Sequence, residues 1–344
     1  MIHFFRAALI ASLVCAALAA PSEPERLIEA GHWKRARTLV EARLRDVPAD
    51  PLATFLLSQI RNAFGDAESP LPLAEKAVAL DGRTAKYHRQ VAECLGVMAQ
   101  RSNVVQQVFL ARRFRKEIDS ALALDPRDTQ AWRDLLEFYL LAPGLIGGDA
   151  HKAAGIASHL REIDAVSGFL AQARLAGFRK QTAEAETLLR RAAEVQPPSY
   201  RARIALAEFY RDAATPRFAD VRPPAEEALA LDPGRVDAYS LLAEIHAARA
   251  DWAALDAVLA ASSSAVPDDL TPFYRAAARL LASGRELPRA ERYLRIYLAQ
   301  QPEGNAPSLA DARARLAQVE QTNRTGARAN SSLLQETPKA ERPR

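Results

Sequence analysis

One short phrase recurs along this chain at nearly fixed spacing. It reads Ala-Val-Ala-Leu-Asp-Gly at 77–82, then Ala-Leu-Ala-Leu-Asp-Pro at 121–126 and again at 228–233. Looser copies, Ala-Ala-Glu-Val-Gln-Pro and Tyr-Leu-Ala-Gln-Gln-Pro, stand at 192–197 and 297–302. With Pro48 and Pro267 the stops fall at 48, 82, 126, 197, 233, 267 and 302, so the gaps are 34, 44, 71, 36, 34 and 35, with 71 close to two periods. A unit this short cannot bury its own apolar face. A fixed period in this range therefore marks stacked units that share one continuous core.

Each unit reads as two helices. Trp132, Leu135, Leu136 and Tyr139 are spaced to share one helical face, and Tyr239, Leu242, Ala243 and His246 repeat the spacing. Leu206, Ala207 and Tyr210 do so again, with Arg203 in the aromatic slot. A second helix follows in each unit, with its face marked by Leu255, Leu259 and Ser262, or by Ala185, Leu188, Leu189 and Ala192. Proline then stops it, because it lacks an N–H and disfavours a helical residue before it. The boundaries predicted are 23–48, 50–82, 83–126, 128–165, 166–197, 199–233, 235–267 and 268–302, with a capping helix at about 307–321 carrying Leu309, Ala312, Leu316 and Val319.

In this order of slots (aromatic, Leu-small pair, Tyr, Ala, Pro) the chain resembles the tetratricopeptide repeat family over roughly residues 23–302. Small residues at Ala92, Ala173, Ala207 and Ala243 fit the slot where helices approach closely, while Ser58 and Leu136 fill it in other units. The resemblance implies an all-α, right-handed α-solenoid of tandem helix-turn-helix repeats. It also implies a binding scaffold for a protein or peptide rather than an enzyme.

The N-terminus reads differently from the repeats. Arg6 is followed by an apolar run from Ala7 to Ala20, and Ala17-Leu18-Ala19 fits a small-x-small cleavage pattern. Residues 1–19 are thus expected to be a cleavable signal peptide, 20–321 the solenoid, and 322–344 a disordered polar tail. Export, to a bacterial periplasm given the Ala/Arg-rich composition, is the expectation. A lipid anchor at Cys15 is disfavoured because Val14 stands where a small residue is wanted. Once the leader is removed only Cys94 remains, so no internal disulfide can form, and its helical setting makes it a small buried hydrophobe. No later segment has the length and apolarity of a membrane span. The net charge of +4 is spread along 344 residues. Even the densest basic run, Arg112, Arg113, Arg115 and Lys116, circles its helix instead of forming the stripe that nucleic acid requires.

In arrays resembling this one the first helices line a concave face. Its slots map to Lys86, Arg89 and Glu93; Gln130, Arg133 and Glu137; Arg201, Glu208 and Arg211; and Asp237 and Glu244. Such a mixed ladder suits an extended peptide bearing both signs of charge, or simply a solvated face with i,i+4 pairs Arg89–Glu93 and Arg133–Glu137. The chaperone-clamp capture of a C-terminal carboxylate does not carry over, because Glu at the ninth slot would repel it. A second candidate is the segment Ala142-Pro-Gly-Leu-Ile-Gly-Gly-Asp149. Pro143, Gly144, Gly147 and Gly148 break helix there, and Asp149 suits an N-cap. It reads either as a long turn or as an anion loop of glycine N–H groups assisted by Lys152. Three functional readings follow: a groove scaffold, a self-associating subunit of an envelope assembly, and a small-ligand or anion binder at 142–149. The six histidines form no metal-binding motif, no nucleophile elbow or dinucleotide fingerprint occurs, and no cofactor or metal is expected. Oligomeric state is not legible.

Overall fold

The computed structural model describes residues 21–65, 70–304 and 307–335. The expected leader 1–19 lies outside the described residues, as does 336–344 of the expected tail. Among the described residues no strand occurs and the helices stack two by two. The pairs are α1 (Glu23–Glu29) with α2 (Trp33–Asp46), α3 (Pro51–Phe64) with α4 (Leu71–Leu80), α5 (Ala85–Gln100) with α6 (Val104–Leu124), and α7 (Thr129–Leu141) with α8 (Ala150–Ile163). They continue with α9 (Ala165–Phe178) and α10 (Thr182–Glu194), α11 (Tyr200–Arg211) and α12 (Phe218–Leu231), α13 (Val236–Arg249) and α14 (Trp252–Ala265), and α15 (Thr271–Ser283) and α16 (Leu287–Leu298). The last helix, α17, spans Leu309–Gln335. This is an all-α solenoid.

The recurrent phrase makes the same local structure each time. Its first alanine, Ala77, Ala121 or Ala228, is fully buried where helices cross, and its backbone carbonyl accepts the Asp N–H at 2.8–3.0 Å. The Asp carboxylate of Asp81, Asp125 or Asp232 then accepts the N–H two residues on, at 2.9–3.0 Å. This Asx turn ends the helix and aims the chain into the next unit. The following helix is capped in turn: Asp50, Asp128, Asp149, Asp164 and Ser199 each accept N–H groups of the first turn.

The first helices lie against one another as an inner layer: α1 on α3, α3 on α5, α7 on α9, α9 on α11, α11 on α13, and α13 on α15. The core lies between this layer and the second helices. Leu135, Leu136 and Tyr139 are buried in one unit, and Tyr239, Leu242, Ala243 and His246 in another, as their spacing requires. Cys94 is buried, and burial pushes its thiol up to about 11. Among the described residues no helix is long and apolar enough to cross a membrane.

Two features depart from the sequence pattern. The apolar spacing ends at 321 and predicts a disordered tail from 322, yet α17 continues to Gln335. Ala, Arg and Gln are adequate helix formers, and Asn323 bonds Glu291 of α16 at 2.8 Å. More consequential, the array returns on itself. A solenoid unit is expected to touch only its neighbours, but the start of α2 meets the turns that follow α14 and α16. The backbone N–H of Lys34 donates to Glu303 at 2.7 Å, and Lys34 Nζ donates to the carbonyls of Asp268 at 2.5 Å and Gln301 at 2.8 Å. Arg35 pairs with Asp268. Gly304, at φ +82°, lies so close that a Cβ there would sit 3.1 Å from the carbonyl of Ala63. The eight pairs thus make one superhelical turn whose two edges touch.

Candidate binding groove

Residues of α7, α9 and α11 enclose a cleft of about 540 Å³ on the inner layer, with Arg133, Asp134, Glu137, Arg174, Arg201 and Phe209 in its wall. Glu137 does not pair with Arg133 as the i,i+4 spacing suggests. It is taken by Arg174 of the next unit in a two-pronged contact, 2.8 Å on each prong. Arg174 occupies the ninth slot of its own unit, where four other units carry Glu. Glu244 of the seventh unit feels the charges of Arg211, Arg275 and Arg279 together. The sign reversal at Arg174 neutralises Glu137 of the preceding unit, a signal the sequence carries.

This pairing leaves two cations over. Neither the Arg133 nor the Arg201 guanidinium makes a hydrogen bond or ion pair to a described residue, and Arg133 Nε and Arg201 Nη2 are buried without partners. Burial first, then the charge of Arg133, holds Arg201 down to about 10. Burial likewise lowers Arg133. Two half-buried cations without a hydrogen bond or ion pair, one of them repelled by the other, are an arrangement that folding alone does not favour. Beside them, burial raises the Asp134 carboxyl to about 7, with Glu93 and Asp128 adding to the effect against the pull of Arg89 and Arg133. Arg89 stands 3.7–3.9 Å from Asp128, Asp134 and Glu93, so its predicted Glu93 pairing is one of three loose contacts. Asp134 was not among the expected groove residues, although it lies four residues after Gln130 and three before Glu137, on their face.

Other expected groove residues are committed elsewhere or stand apart. Lys86 bonds Glu25 of α1 at 2.6 Å and closes the first unit onto the third. Glu93 accepts from Asn62 at 2.9 Å, Arg211 is taken by Asp212 at 2.8 Å and stands 3.6 Å from Glu208, and Gln130 is exposed. Burial raises Glu208 and Glu244. Asp237 accepts from Tyr200 at 3.2 Å.

The 142–149 segment forms a short 3-10 turn at Gly144–Ile146. The N–H groups of Gly147 and Gly148 both turn back to the Pro143 carbonyl at 3.1 Å, and a Cβ on Gly148 would fall 1.7 Å from the Ala142 carbonyl oxygen. Asp149 occupies the amino end of α8 and accepts from His151 and Lys152, whose ammonium stands 3.8 Å from the same carboxylate. The Gly147 and Gly148 donors are therefore already used within the turn. Next to it an apolar cleft opens among Leu95, Phe114, Phe138 and Ile146. Val104, Val105, Phe109, Leu141 and Leu145 in this region are each more than 60% exposed.

No protein-family model matches the chain. No curated protein matches it either. Among solved structures it is similar to yeast Tom70, with 16% identity over 94% of this chain and 69% of that one and a TM-score of 0.56. It is also similar to a tetratricopeptide repeat protein from Parabacteroides merdae (13% identity, 86% of this chain and 96% of that one, TM-score 0.41). A third is a thermophilic one from Thermus thermophilus (16%, 68% and 95%, TM-score 0.36). The stacked pairs, the repeated Asx-turn stops and the likeness to Tom70 together show that this chain has the tetratricopeptide repeat fold.

Proposed function

We propose that this protein is an exported, non-enzymatic scaffold that holds an extended segment of a partner protein on its inner layer. The observation that carries the reading is the pair of unpaired guanidiniums, Arg133 and Arg201, in a cleft that also presents Leu170 and Phe209. An acidic side chain of the partner would relieve the repulsion, and an adjacent apolar side chain would fill the cleft, which is how a few buried anchors give most of an interface its affinity. Export is supported by the composition of residues 1–19. The test is selection of peptides from a random display library on the mature protein. Enrichment of sequences pairing Asp or Glu with a large apolar residue, lost on Arg133→Glu/Arg201→Glu, supports the groove. Binders indifferent to that double change refute it.

A second reading, a subunit of an envelope assembly, is favoured by the exposed apolar patch of Val104, Val105, Phe109, Leu141 and Leu145. Sedimentation of the parent chain beside Val105→Asp/Phe109→Asp tests it. A dimer or larger species that the double change abolishes supports self-association, and a monomer in both refutes it.

A further inference from the structure

We infer that His32, Asp268 and Glu303 form a binding site for a divalent cation of the zinc class, which clasps the first helix pair to the eighth. The residues come from three separate turns: the one before α2, the one after α14 and the one after α16. They are 236 and 35 residues apart, so no spacing motif could reveal them, and the sequence led to the expectation of no metal. Closure of the superhelical turn brings one ligand atom from each within 4.8 Å of the others.

The chemistry of the three groups fits a cation. Glu303 is only 8% exposed. One of its oxygens accepts the Lys34 backbone N–H at 2.7 Å, while Oε1 is buried without a partner among the described residues. A carboxylate oxygen shut away from water and left unbonded costs free energy that a bound cation removes. The Lys34 ammonium spends its hydrogen bonds on the carbonyls of Asp268 and Gln301 and not on the carboxylates. The His32 imidazole is half-buried and offers a ring nitrogen to the same point. Arg35 now rests on Asp268, and with 45% of its side chain exposed it can move to solvent when a metal takes that carboxylate. One imidazole nitrogen and two carboxylates suit Zn2+ with a fourth position for water, whereas Mg2+ and Ca2+ prefer all-oxygen sets.

The experiment is calorimetric titration of the mature chain, stripped with a chelator, with ZnCl2 and separately with MgCl2. One Zn2+ per chain is expected, with much weaker Mg2+ binding. Glu303→Gln and His32→Gln should each weaken Zn2+ by more than about tenfold, the least loss that removing even an outer-shell partner produces. Absence of saturable Zn2+ binding, or affinity unchanged in both variants, overturns the assignment. Either variant also alters the contact between the chain's two ends, so the parent chain gives a second reading. Zn2+ should slow hydrogen exchange in α2 and α16 together. Slowing elsewhere alone, with α2 and α16 unchanged, would place the metal outside the clasp and overturn the proposal.

Discussion

The contact between the first and eighth units makes Lys34 the place to test whether the array is closed. Lys34→Met keeps the length and apolar stem of the side chain and removes the ammonium that bonds the carbonyls of Asp268 and Gln301 at 2.5 and 2.8 Å. Hydrogen bonds from a charged donor contribute about 1.5–3 kcal/mol each. The Gln301 contact is exposed, and the free ammonium regains hydration, so the net cost is set near 2 kcal/mol, below the sum for two such bonds. That corresponds to roughly a 30-fold rise in local opening. In an open solenoid, loosening the first unit would reach only its neighbour. Here the backbone N–H bond of Lys34 to Glu303 and the packing of Gly304 on Ala63 tie the two ends together. Native-state hydrogen exchange should therefore show faster opening in α1–α2 and in α15–α16 at once, with α7–α10 unchanged. Faster exchange confined to α1–α2, or no change in either end, would refute the closed arrangement.

Four further outcomes are expected. Leu160→Ala, at a site with no exposed surface, should lower stability by about 2–5 kcal/mol in urea unfolding. Arg201→Leu should leave stability unchanged or raise it, because it removes a partly buried cation repelled by Arg133, and it should weaken capture of an acidic peptide by at least about tenfold; a clear loss of stability would mean that Arg201 has a structural partner. Asp134 has a carboxyl raised to about 7 by burial, so its protonation favours the fold below about pH 4, and that contribution is lost as pH rises through 7. Urea midpoints at pH 5 and pH 8 should therefore differ less in Asp134→Asn than in the parent. Gly148→Ala forces a Cβ into the Ala142 carbonyl and should cost more than about 2 kcal/mol, read as a fall in the thermal midpoint.

Much of the architecture was legible because it is local. Helix spacing, proline stops and a buried alanine four residues before the Asp act within a few residues, so most repeats declare their own boundaries, the missing stop between 126 and 197 being the exception. Part of the groove was legible for the same reason: equivalent slots place Arg89, Arg133, Glu137 and Arg201 on inner helices. Pairing was less so. The ninth-slot ladder suggested an Arg133–Glu137 pair, but Glu137 chose Arg174 of the next unit because a two-pronged guanidinium contact outcompetes a single-turn neighbour. The glycine-rich segment showed that a turn occurs at 142–149, but only the folded backbone shows the Gly147 and Gly148 N–H groups spent on Pro143.

By itself, the sequence determined a stack of helix pairs, their order and the faces they bury, since each follows from short-range periodicity and backbone sterics. Only the tertiary structure decided that the stack makes one turn and meets its own beginning. Small rotations accumulated over eight units bring His32, Lys34 and Arg35 onto Asp268, Gln301 and Glu303, and no interval along the chain encodes that sum.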